Sequence, residues 1–180
     1  NELYAAKLVA SHPFAKGNLS FGAEYSHNNR NTTYFNAEGI IENDQAQIKE
    51  GATSVFVEYT RQFGNLQMQA GLRYENVGFN YYDSGKHMKE QSKNYNNVFP
   101  SISFSFPIKD VQIMLGYTND ISRPSYWNLR SNITYVNRYM YDKGNPFLMP
   151  SLSHNVTLGA SYKWINLYVG YSHIMDEMIN

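Results

Sequence analysis

The sequence predicts an all-β fold: an antiparallel up-and-down transmembrane β-barrel, with eight strands in this chain. Three observations carry that expectation. Period-two alternation of apolar and polar residues recurs eight times. The connections alternate between tight turns and long polar loops. The chain holds 16 Tyr, 10 Phe and 2 Trp beside abundant Asn and Ser, a composition that suits strands, turns and rings at a water–hydrocarbon boundary.

Taken in order, the first strand (near 3–11) alternates Tyr4, Ala6, Leu8 and Ala10 with Lys7 and Ser11. The second (near 18–28) sets Leu19, Phe21, Ala23 and Tyr25 against Ser20, Gly22, Glu24 and Ser26. The third (near 52–62) has Val55, Val57 and Tyr59 against Glu58 and Thr60, with Phe56 breaking the polar side. The fourth (near 66–79) sets Leu66, Met68, Ala70, Leu72 and Tyr74 against Gln67, Gln69, Gly71, Arg73 and Glu75. The fifth (near 97–106) sets Pro100, Ile102, Phe104 and Phe106 against three serines. The sixth (near 111–121) carries Val111, Ile113, Leu115 and Tyr117. The seventh (near 153–163) carries Val156, Leu158, Ala160 and Tyr162, and the eighth (near 166–174) Leu167, Val169 and Tyr171. Each run is about ten residues, the length of a tilted strand crossing hydrocarbon. The expected organisation is a single barrel segment over 1–180.

Short connections fall at residues 12–17, Phe63-Gly64-Asn65, Pro107-Ile108-Lys109-Asp110 and Trp164-Ile165-Asn166. Long polar connections run from about 28 to 51, 82 to 96 and 122 to 152. The segment Asp44 to Glu50 reads as a charged short helix or plain loop. All tight turns fall at one end of the sheet and all long loops at the other, the asymmetry of outer-membrane barrels. The first strand then runs inward from the cell surface.

Alternation alone does not orient the faces, since a soluble barrel turns its apolar face in and a membrane barrel turns it out. Gln67, Gln69, Arg73 and Glu75 together on one strand suit a wet lumen. Small and aliphatic residues hold mid-strand on the apolar face, with Tyr25, Tyr59, Tyr74, Phe106, Tyr117, Tyr162 and Tyr171 towards the ends, as in aromatic girdles. Lys and Arg number 15 against 15 Asp and Glu, which gives no basic patch for nucleic acid. No run of about 18 apolar residues is present, so a transmembrane helix is excluded. The absence of Cys excludes disulfides and zinc-thiolate sites. The chain starts at Asn1 without an initiator Met or signal segment, which reads as a processed or excised piece.

The most specific stretch is Ser122-Arg123-Pro124-Ser125-Tyr126-Trp127-Asn128-Leu129, followed by Gly144-Asn145-Pro146-Phe147-Leu148-Met149-Pro150 and His154-Asn155-Val156-Thr157-Leu158-Gly159. It resembles the late barrel region of TonB-dependent receptors, and in particular the outer-membrane β-barrel family common in Bacteroidetes, as does Asn97-Val98-Phe99-Pro100-Ser101. The family often has K-P-E where this chain has Met149-Pro150-Ser151. The resemblance implies a bacterial outer-membrane location, a barrel of about 22 strands, a plug domain, and energy from the TonB system for uptake of a small nutrient. Met178-Ile179-Asn180 does not resemble a terminal aromatic strand, so an internal segment of a longer receptor is expected.

No catalytic site, cofactor site or metal site is expected. The five histidines, His12, His27, His87, His154 and His173, show no ligand spacing. Gly144-Asn145-Pro146 reads as a turn, with no helix to make a phosphate cradle. Arg123, Tyr126, Trp127, Arg130 and Tyr135 form a candidate ligand-contact loop, because rings stack and Arg holds carboxylates. The alternative is a loop packed on its own aromatics, with Arg123-Pro124 shaping the strand exit. Glu58, Gln67, Gln69, Arg73 and Glu75 form the candidate lumen face. The leading reading is receptor wall and surface loops, with outer-membrane lipid, plug and TonB system as partners and an unidentified nutrient as ligand. A complete eight-stranded barrel with a structural or adhesive role, and a soluble ligand-binding barrel, remain open at this point.

Overall fold

The computed structural model describes residues 1–34, 44–129 and 133–176. Eight of its strands form one antiparallel meander: β1 (Glu2–Phe14), β2 (Gly17–Tyr34), β3 (Asp44–Phe63), β4 (Leu66–Asp83), β6 (Lys93–Ile108), β7 (Val111–Ser122), β10 (Ser151–Tyr162) and β11 (Ile165–Met175). Each pairs with its neighbour in sequence, and β1 and β11 are the two edges of the path. The short β5 (Lys86–His87) folds back on β4. In the third long connection β8 (Ile133–Asn137) and β9 (Met140–Lys143) make a separate hairpin.

The four tight connections leave two residues between paired strand ends: Phe14 faces Gly17, Phe63 faces Leu66, Ile108 faces Val111 and Tyr162 faces Ile165. Ala15 and Lys16 both have positive φ, the primed geometry whose twist matches right-handed strands. Gly64, Lys109 and Lys163 supply positive φ in the other three.

Register fixes the faces. Leu8, Ala23, Val55, Tyr74 and Val98 lie side by side across five strands, as do Met68, Phe104, Leu115, Leu158 and Val169. This face is bare. Leu8 is 76% exposed and Tyr171 68%, and Phe21, Val55, Leu72, Leu158 and Leu167 are exposed too. Aliphatic residues open to the surroundings over a whole sheet face mark a surface built to meet an apolar medium.

Beyond the Tyr25–Thr53–Asn76–Asn96 row the alternation continues with its sense reversed. The outer side now carries Gln45, Gln47, Lys49, Asn80 and Asn94, and the inner side Ala46, Ile48, Val77, Phe79, Tyr81 and Tyr95. Residues 44–50, expected as helix or loop, are therefore strand. The ladder continues because inner Ile48, opposite Tyr81, is buried under the surface loops. β3 is 20 residues long, about 65 Å at roughly 3.3 Å per residue. That is about twice the roughly 9–11 residues a tilted strand needs to cross hydrocarbon.

One contact passes through the sheet's packing on the lumen side. A Cβ on Gly22 would meet the Leu8 carbonyl oxygen and come within 2.7 Å of Phe56 Cζ. Phe56, the ring that breaks the polar pattern, therefore lies over a glycine, with Lys7 Nζ 5.5 Å from its centroid. Gly22→Ala is expected to lower stability by about 1–3 kcal/mol through overpacking, read by urea unfolding in detergent. Adding Phe56→Ala should recover only part of the loss, because the Leu8 oxygen remains. Full recovery would show that the ring alone makes the contact.

Candidate functional site

The sequence and the register converge on the inner face at the loop end. β6 pairs with β4 from Lys93 onward, but with β7 only from Ser101 onward. Pro100, which has no N–H to give a ladder, sits where the β7 pairing stops. The upper half of β6 therefore has no ladder to β7, and the base of the third long connection reaches it at Lys93. Lys93 Nζ donates to the carbonyl oxygens of Phe147 and Leu148 at 2.9 and 3.2 Å. The two limbs of the base are joined where the Asn145 N–H donates to the Asn128 carbonyl at 2.6 Å.

Leu129 is buried on Ile48, Phe79 and Tyr81, with Met88, Tyr95, Tyr126 and Leu148 packed around them. Burying a leucine of this kind stabilises by about 1.5–3 kcal/mol, enough to hold a loop against the wall. Tyr126 accepts a hydrogen bond from Asn28 Nδ2 at 2.8 Å and lies beneath the Arg30 guanidinium, 5.4 Å from its ring centroid. Burial and the nearby Glu50 carboxylate push the Tyr126 phenol above its ordinary range, so it stays neutral. A gap of about 20 Å³ remains between Glu50, Val77, Phe79, Lys93, Arg123 and Leu129, room for about one water and no nutrient.

Below this core the inner face is charged. Arg123 pairs with Glu75. Glu75 also accepts from Arg73 at 3.2 Å, and Arg73 donates to Glu24 at 3.2 Å. Lys7 stands 3.9 Å from Glu24. Glu75 is the one buried charged residue among the described residues, at 8% exposure.

The candidate lumen residues Glu58, Gln67, Gln69, Arg73 and Glu75 all fall on this one face. Arg73 and Glu75 are joined, Gln67 and Gln69 are exposed, and Glu58 is half-buried opposite Gly71. The candidate loop residues are not gathered in the same way. Arg123 and Tyr126 point into the wall contacts above, while Trp127 is 57% exposed. Tyr135 lies on β8, and Arg130 lies outside the described residues. Sequence reasoning missed Asn28, Arg30, Ile48 and Lys93 as partners of this loop. The reversed alternation over 44–50 and 76–82 was the available signal. It also missed that the register sets His154 opposite His173, since cross-strand neighbours have no sequence spacing. His154 Nδ1 is 2.8 Å from the Tyr117 hydroxyl. Among the described residues no three His, Cys, Asp or Glu side chains gather as a metal site.

The sequence model of the outer membrane protein beta-barrel family matches residues 1–180. Among curated proteins, none matches the sequence. Among solved structures, the copper transporter OprC is similar at 14% identity over 93% of this chain, with a TM-score of 0.64. The ferric yersiniabactin uptake receptor FyuA from Yersinia pestis is 12% identical over 97% of it, with a TM-score of 0.62. The ferric-catecholate import receptor Fiu from E. coli K12 is 10% identical over 96%, with a TM-score of 0.67. At these identities the likeness is one of fold. The chain spans 29%, 29% and 31% of those proteins respectively.

Two outcomes follow from this geometry. Leu129→Ala is expected to cost about 2–5 kcal/mol locally, seen as faster protease cutting within 123–150 while the rest of the sheet resists. Leu158→Arg, on the bare face, should cost about 2–4 kcal/mol in liposome refolding, whereas Gln69→Arg on the inner face should be near neutral. The reverse order would mean the faces are assigned backwards.

Proposed function

This chain belongs to the outer membrane protein beta-barrel family of the bacterial outer membrane, and we propose that it forms wall and surface loops of a TonB-dependent receptor that imports a scarce nutrient. The observation that carries the reading is the opposition of the two faces. A bare aliphatic face meets lipid, while the opposite face carries Lys7, Glu24, Arg73 and Glu75, which suits a hydrated lumen and a polar occupant. The likeness in fold to uptake receptors supports it.

On this reading the chain is one barrel segment of a larger protein. The unpaired edges β1 and β11 would continue into further strands, because hydrocarbon leaves no partner for a free strand edge. A plug would rest against the charged inner face, and the TonB system would drive its movement. The wall itself makes and breaks no covalent bond. Ferric chelates and copper, named for the similarly folded proteins, are the first ligands to test.

The test uses the source cell and the whole protein. Disrupting the gene should lower uptake of at least one radiolabelled ferric chelate or copper complex by tenfold or more, and loss of TonB should reproduce the defect. Unchanged uptake across the panel would count against import of metal chelates. An outer-membrane band near the 20.8 kDa of this chain would instead identify a complete small barrel and sink the receptor reading.

A further inference from the structure

Four ion pairs join side chains among the described residues, and all four share members in one line: Lys7, Glu24, Arg73, Glu75 and Arg123. The signs alternate along it. The line starts on β1, crosses β2 and β4, and ends on the first residue of the third long connection. Exposure falls along it as far as Glu75. The Lys7 side chain is 57% exposed, Glu24 and Arg73 are 35% and 34%, Glu75 is 10%, and Arg123 is 31%. The two pairs that meet at Glu75 are thus the most removed from water, where a charge interaction is screened least.

We propose that this line is a latch with a relay. Arg123 on Glu75 holds the base of the long connection against the inner wall, and the strength of that hold is set from Lys7 and Glu24, which do not touch the loop. The chemistry is competition for one carboxylate. Glu75 Oε2 accepts from Arg73 while Oε1 accepts from Arg123. Arg73 divides its donors between Glu75 and Glu24. When Glu24 is neutralised, both Arg73 donors turn to Glu75 and Arg123 loses part of its acceptor. A cationic group arriving at the open inner face beside Glu24 would act in the same sense. The element that responds is the β8–β9 hairpin, which leaves from this base and carries Tyr139 at 87% exposure. The remaining anchors of the base, Lys93 on the Phe147 and Leu148 carbonyls and Leu129 in its apolar pocket, keep it near the wall when the latch opens. The motion is therefore a loosening, not an unfolding. The proposal does not depend on what the protein transports.

The chain contains no Cys, so spin labels can be placed singly. Labels at Tyr139→Cys on the hairpin and Asn80→Cys on the outer side of β4 would report their distance distribution in the full protein in lipid. Glu75→Gln and Arg123→Gln should each widen that distribution at least twofold. Glu24→Gln should widen it as well, by a smaller factor, although residue 24 lies away from the loop. Glu58→Gln, on the same face but outside the line of pairs, should leave it unchanged. Heat-modifiable gel mobility, equal in all variants, would show that the barrel is intact. An unchanged width in Glu75→Gln would overturn the latch. An unchanged width in Glu24→Gln, or equal widening in Glu58→Gln, would overturn the relay.

Discussion

The structure depends on one constraint: inside hydrocarbon no water is available to a backbone N–H or C=O, so each strand must find its partners within the sheet. Every ladder between the eight long strands is antiparallel and in step. With the backbone satisfied in this way, side chains are free to separate by medium. Leu8, Val55, Leu72 and Leu158 stay bare on one side, and the charges collect on the other. In water alone such a sheet would bury its apolar face against a second layer. The apolar layer here is the membrane.

The same strands outlast that medium. Above the Tyr25–Thr53–Asn76–Asn96 row the outer side turns to Asn, Gln and Lys, as it must in water, and the inner side turns apolar. The inner side then needs a cover, and among the described residues the loop that leaves β7 supplies most of it, with Met88 from the second long connection beside it. This explains why Leu129, Leu148 and Tyr126 pack inward and why β6 loses β7 as a partner above Ser101. One chain therefore carries two opposite hydrophobic patterns in series. The lower one is solved by lipid and the upper one by its own loop.

That reversal also sets what the sequence made legible. The eight membrane strands and the turn–loop asymmetry were readable because Leu66 to Tyr74, or Val156 to Tyr162, repeat one simple rule. Residues 44–50 obey the same rule with the sense inverted, and so read as a charged loop. Glu75 and Arg73 were legible as lumen residues from their strand parity. Their links to Glu24 and Arg123 were not, because a pair 48 residues apart is brought together only by register and by the inward fold of a loop. The absence of the same information hid Asn28 and Arg30 as partners of Tyr126.

The inward fold bears on where ligand contacts can reside. Arg123 and Tyr126 have the chemistry of a ligand platform, yet each is half-buried and already has wall partners. Freeing Arg123 would leave the buried Glu75 carboxylate short of a partner, a costly state. Freeing Tyr126 would expose the apolar face of Ile48 and Phe79. A ligand would have to supply both losses before any net affinity appeared. Tyr139, which keeps its ring in water at 87% exposure, carries a smaller penalty. On the proposed receptor reading, selectivity is therefore expected on the outward part of the loop, with its base setting where that part stands above the lumen.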